Sequence, residues 1–243
     1  LYMLALMEYN RLVYHTSDIS GDFPEDPNMR QLFSESGFLK FVQTYSIKHS
    51  ENKNIISVAS GQRVDPVLAK KVVEFSIEKL NLEKSDTEHL FQTLIECMAN
   101  TNNHAYKSTP VPKWFFMAHY NVKREEVQFS FLDGGLGIPT TIKKKFLEKI
   151  RSIIPFNITD WKLIFSALKG EFRTQTGKSN RGKGLPDIKN YADEGFLKEF
   201  KVVSCRGFID YEPDSKRDIS DNFRGTLLSW IITKSNKKEF FSD

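Results

Sequence analysis

Glu126-Val-Gln-Phe-Ser-Phe-Leu-Asp-Gly-Gly-Leu-Gly-Ile-Pro139 is the stretch from which the fold can be worked out. Its first half reads as a strand, Glu126 to Leu132. The preceding Trp114 to Val122 reads as its hairpin partner, joined through the charged turn Lys123-Arg124-Glu125. The second strand runs straight into Asp133-Gly134-Gly135-Leu136-Gly137, where glycines permit backbone conformations closed to other residues and let a ligand approach the main chain. Taken alone this is a glycine-rich turn after a strand, so its neighbours decide what it is for.

On the N-terminal side, Asp65-Pro66 reads as an N-cap with proline at the first helical position, and Val73, Ile77 and Leu80 keep helical spacing to Leu82. A second helix starts near Asp86, with Phe91, Ile95 and Met98 as one apolar ridge widened by Leu90, Leu94 and Cys97. Its opposite side carries His89, Gln92, Glu96, Asn100 and Asn103 at helical intervals, a polar stripe without lysine or arginine. A solvated helix face is ordinarily rich in Lys and Glu, so short amides beside one glutamate point to a site.

On the C-terminal side, helical spacing returns at Ile142, Phe146, Ile150 and Ile153 and again from Asp160 to Leu168. Residues 170–184 turn polar, with Lys178, Arg181 and Lys183 among glycines, and read as a mobile loop. Leu185 to Ala192 then forms a short helix whose first N–H groups can face an anion. Strands near Phe200 to Cys205, Gly207 to Tyr211 and Thr226 to Thr233 complete the pattern.

The chain has 243 residues, 40% of them hydrophobic and 27% charged, and a net charge of +4. That supplies a real core and too little basic excess to indicate nucleic acid. Two cysteines, Cys97 and Cys205, exclude a disulfide framework or a cysteine-rich metal site and fit a reducing cytoplasm. No apolar run approaches the roughly 20 residues that cross a bilayer, and no signal-peptide pattern is present. The opening Leu1-Tyr-Met-Leu-Ala-Leu-Met7 reads as starting inside a helix with residues missing upstream. Polar stretches at 17–27 and 49–54 flank a helix-like pattern over 29–45, which places a boundary near residue 60 and a partial N-terminal module at 1–60.

Two phosphate-binding motifs come close and fail. Gly177-Lys178-Ser179 mimics the end of a P-loop, yet the earlier glycine would fall at Phe172. Gly135 and Gly137 would begin a dinucleotide fingerprint, yet its third glycine falls at Thr140 and the βαβ unit is missing.

Three blocks in order, Glu96-Cys-Met-Ala-Asn100, Asp133-Gly-Gly-Leu-Gly137 and Gly182-Lys-Gly-Leu185, resemble the N, G1 and G2 boxes of the GHKL superfamily. That superfamily comprises gyrase-type topoisomerases, heat-shock chaperone ATPases, histidine kinases and mismatch-repair ATPases. Gly225-Thr226 resembles its fourth element, and the likeness covers roughly residues 65 to 235. It implies a two-layer α/β (α+β) sandwich of the Bergerat type over residues 61–243, with a mixed, mostly antiparallel sheet, helices on one face and an ATP lid.

The resemblance also implies roles. Asp133 would accept a hydrogen bond from the adenine amino group, Gly135 and Gly137 would let base and ribose lie against the backbone, and Thr226 would support Asp133 and an adenine-bound water. Asn100 would hold Mg²⁺ through its amide oxygen. Glu96, one turn away, would orient or deprotonate the attacking water. Asn103 and His104 would touch phosphate or the nucleoside, and Gly182, Lys183, Gly184 and Leu185 would turn main-chain N–H groups to the phosphates. Lys178 and Arg181 would add charge from the lid, while Lys143-Lys144-Lys145 reads as an exposed helix face.

The expected function is Mg²⁺-dependent ATP binding with slow hydrolysis, the lid gating a protein partner or a second copy. A nucleotide-gated module that hardly turns ATP over is the non-enzymatic alternative. A protein kinase of the anti-sigma serine-kinase or histidine-kinase type is another. His15, His49, His89, His104 and His119 are each followed by a non-acidic residue, so the phosphoacceptor signature of a self-contained sensor kinase is absent. Pro24-Glu-Asp-Pro27 and Ser36-Gly-Phe38 resemble parts of the regulatory α/β modules that accompany such ATPases.

Overall fold

The computed structural model describes residues 1–15, 21–22, 24–42, 52–105, 113–149, 158–172, 184–212 and 214–234, without the side chains of 102–105 and 145–149. Strands β1 (Ile55–Gly61), β2 (Trp114–Asn121), β3 (Glu126–Asp133), β4 (Lys198–Asp210) and β5 (Ser215–Thr233) form one sheet in the order β1-β2-β3-β5-β4. Every pairing is antiparallel, so parallel pairing is absent among the described residues and the sheet is not mixed. Helices α1 (Tyr2–Tyr14), α2 (Pro27–Glu35), α3 (Pro66–Leu80), α4 (Glu88–Ala105), α5 (Ile138–Lys149), α6 (Asp160–Leu168) and α7 (Gly184–Asp193) complete an α+β sandwich.

Strand alternation sends one set of side chains to the helices. Val127, Phe129 and Phe131 of β3 and Leu228, Trp230 and Ile232 of β5 share a core with Val72 and Phe75 of α3, Leu90, Leu94 and Met98 of α4, Ile164 of α6 and Ile188 of α7. Phe129 stacks on Trp230 at 5.3 Å and 11°, and truncating either ring would cost about 3–5 kcal/mol. The opposite set, Phe115 and Leu132, packs against Leu4 and Ala5 of α1. The sheet therefore carries a helix on its far face too, where only one helical layer was expected. There Tyr2 stacks on Phe223 at 4.1 Å, Arg224 lies 3.7 Å from the ring of Tyr9, and both line a small crevice with Gly134.

Local signals explain the helix starts. Asp65 caps α3 by accepting from the Leu68 N–H at 2.9 Å, with Pro66 at the first position as its sequence indicates. The helix-like pattern over 29–45 breaks at Gly37, whose φ of 77° ends α2 and leaves only a short 3₁₀ turn, Phe38–Lys40. The boundary expected near residue 60 falls inside β1, which pairs with β2. The two strands expected at 200–205 and 207–211 are one strand, bent where Cys205 takes a φ of 52° and the register with β5 shifts.

Candidate functional site

The site begins where an apolar sheet turns polar. Across the helix-facing side, one cross-strand row is Phe116, Phe131, Leu228 and Val202; the next row toward the end of β3 is Trp114, Asp133, Thr226 and Ser204. The two-residue period of the strands thus carries Asp133, Thr226 and Ser204 inward among the same helices that cover the phenylalanines.

Asp133 accepts from the Gly135 N–H at 2.7 Å, yet burial outweighs that bond and pushes its carboxyl up to about 6. Among the described residues no cation is among the causes of its shift. Gly137 takes a φ of +85° and wedges against β4: a β-carbon on it would lie 2.7 Å from Cys205 Sγ, 2.9 Å from Ser204 Oγ and 3.1 Å from the Gly225 carbonyl oxygen. The next amide, Ile138 N–H, donates to Ser204 Oγ at 2.9 Å, which ties the turn to β4 at the start of α5. Gly225 (φ +90°) passes so near β3 that a β-carbon would sit 2.0 Å from the Asp133 carbonyl oxygen. Gly135 contributes its amide to Asp133.

Helix α4 supplies the other wall. Cys97 is buried, and the causes that push its thiol up are burial first, then the charges of Glu96 and of Asp133, so both carboxylates are near enough to act on it. Gly184, the first residue of α7, packs on the stripe of α4: a β-carbon would come 2.9 Å from Glu96 Oε2 and 3.1 and 3.2 Å from the Asn100 amide nitrogen and oxygen. The Asn100 amide nitrogen is buried and has no hydrogen-bond partner among the described residues, and a buried donor left unpaired costs about 1–3 kcal/mol. Glu96 is half-buried, and burial first, then the nearby Asp187 of α7, raises its carboxyl above the usual range. Leu185 packs on the core.

Two members of the stripe do something else. The Tyr191 hydroxyl donates to the Gln92 side-chain oxygen, and the His89 ring lies 4.6 Å from that of Tyr191 and 3.9 Å from that of Phe196. His89 and Gln92 therefore clamp α7 to α4, and Glu96 and Asn100 face its glycine start. Asn103 and His104 follow on α4, their side chains outside the described residues; so are Lys178, Arg181, Gly182 and Lys183 altogether. Lys143 of the lysine run pairs with Asp160 at 2.7 Å, and Lys144 is exposed.

Ser204, Asp187 and Tyr191 were not singled out from the sequence, and Cys205 was noted there only as a cysteine and a strand end. Ser204 alone left a signal: it continues the inward alternation of Phe200 and Val202 in β4.

Among the described residues no group of three or more His, Cys, Asp or Glu could enclose a metal; the Asn100 amide oxygen lies beside the α7 start, and one such oxygen would hold a hard cation only if the ion kept most of its ligands from elsewhere. No protein-family model matches the chain, and no curated protein matches it. Among the described residues no helix is long and apolar enough to cross a membrane.

Proposed function

We propose that the chain is a magnesium-dependent ATP-binding protein of the GHKL type that hydrolyses ATP slowly and passes its nucleotide state to a protein partner or a second copy. One observation carries the reading: residues far apart in sequence meet at the start of α7, where Gly184 lies against the Glu96 carboxylate and the Asn100 amide.

In this reading Asp133, ionised near neutral pH, accepts from the exocyclic amine of the base, and Gly135 and Gly137 leave room for the ring. The α7 start offers the N–H groups of its first residues, Gly184 and Leu185, to phosphate oxygens, Pro186 having none to offer. Asn100 holds Mg²⁺ through its side-chain oxygen, and the ion, when bound, offsets triphosphate charge. Glu96 takes the proton from the attacking water, its raised pKa bringing a carboxylate closer to the operating pH of a general base. The two free cysteines and the composition lead us to place this activity in the cytoplasm.

Calorimetric titration with ATP, ADP and GTP, with and without Mg²⁺, combined with phosphate release, tests the proposal. ATP binding strengthened by Mg²⁺ and accompanied by slow release is expected. Binding without release would leave a nucleotide-gated module, and no adenine-nucleotide binding at all would overturn the site.

A further inference from the structure

A serine hydroxyl has one hydrogen to give and two lone pairs to receive with. Ser204 is fully buried and meets three groups at 2.9 Å: the Ile138 N–H, the Gly225 carbonyl oxygen and the Thr226 hydroxyl. An amide only donates and a carbonyl only accepts. All three contacts are satisfied together in one way: Ser204 gives its hydrogen to Gly225 and receives from both Ile138 and Thr226. Thr226 thus spends its own hydrogen on Ser204 and keeps only lone pairs for anything else. Its neighbour in the row is Asp133, paired with it across β3 and β5.

We infer that Ser204 is a specificity-determining positioning residue, which holds the Thr226 hydroxyl as an acceptor so that the site selects 6-aminopurine over 6-oxopurine nucleotides. The inference rests on the ATP-site reading above. Two adjacent acceptors must be met by hydrogens, from an exocyclic amine or from a water bound beside it. A carbonyl oxygen brought to the same place faces lone pairs, and a buried mismatch of that kind discriminates strongly. Ser204 touches no reacting atom in this arrangement. Its effect runs through Thr226, and without it the freed threonine hydrogen becomes a donor that a 6-oxo group can use.

The test is to measure dissociation constants of ATP and ITP for the wild type, Ser204→Ala, Thr226→Val and the double variant, with thermal melting as the check on folding. The wild type is expected to prefer ATP, and Ser204→Ala to narrow the ATP-to-ITP preference by about fivefold or more, just under 1 kcal/mol. On the Thr226→Val background the same change is expected to leave the preference where it was. Should Ser204→Ala not fold, Ser204→Cys keeps a side chain of similar size whose sulfur accepts poorly, and the same narrowing is expected. Equal weakening of both nucleotides, or a narrowing that persists without Thr226, overturns the inference, as does a wild type with no preference. A wild type that binds neither nucleotide overturns the ATP-site reading and this inference with it.

Discussion

Gly184 lies against Glu96 so closely that a β-carbon on the glycine would be 2.9 Å from the glutamate Oε2. The atom in the way is the far end of a flexible side chain, so alanine fits if the carboxylate swings aside. Gly184→Ala is therefore expected to leave the melting temperature within a few degrees of wild type, since alanine favours helix by about 1 kcal/mol. Phosphate release should fall by about tenfold or more, and by more than ATP affinity does, because the displaced group is the proposed base. Parallel melting, binding and turnover measurements check this.

Gly225 is the opposite case. A β-carbon there would meet the Asp133 backbone oxygen at 2.0 Å, and its φ of +90° is itself strained for other residues. Neither the strand nor the angle can give way cheaply. Gly225→Ala is expected to destabilise the chain by about 2–4 kcal/mol, measured by denaturant unfolding, and to lose nucleotide binding with the row it distorts.

Asp133 couples function to stability. Its pKa in the fold, about 6, lies above the ordinary 3.8, so its contribution to stability is complete below pH 3.8 and is lost as the pH rises through 6. At pH 7 the buried charge costs roughly 3 kcal/mol at most. Asp133→Asn should therefore be more stable than wild type at pH 7 and no more stable at pH 3.5, while binding ATP more weakly. Unfolding at the two pH values, with titration of ATP at neutral pH, reads both effects.

Glu96→Gln is expected to abolish phosphate release while ATP binding persists within a few-fold. Because Asp187 is the second cause of the raised Glu96 carboxyl, Asp187→Asn should move the acidic limb of the pH–rate profile to lower pH. A profile unmoved by Asp187→Asn would take Glu96 out of the role of base.

Tyr191→Phe removes the hydroxyl that donates to Gln92 and leaves the ring beside His89. Losing that bond should cost about 1 kcal/mol of α7 docking and weaken ATP binding about fivefold, with a smaller effect on the rate of the bound state. Separate measurement of KM and kcat distinguishes this from loss of the base.

Much of the fold was legible where the signal is local. Asp65-Pro66 starts α3 and Asp160 to Leu168 is a helix as its spacing indicates, because capping and helical periodicity act within a turn or two. β5 begins at Ser215, eleven residues before the expected Thr226, along a polar run with no alternation of its own; pairing with β4 holds it extended. β1 was hidden in the same way, between polar residues and an expected domain boundary. In the site, Glu96, Asn100, Asp133 and Gly184 were visible as residue types in an ordered pattern. Ser204 left only its place in the inward alternation of β4, and one serine there does not name its partners until the register with β5 is known.

The sequence by itself determined which chemistries the chain has and where helices and turns can begin, because those depend on neighbours a few positions away. The tertiary structure alone decided the rest: that His89 and Gln92 clamp α7 while Glu96 and Asn100 face its glycine start, that Asp133 lies where burial raises its pKa toward neutrality, and that Thr226 hands its hydrogen to Ser204. Desolvation and cross-strand register are sums over segments far apart in the chain, and they exist only once the sheet and its helices have closed around them.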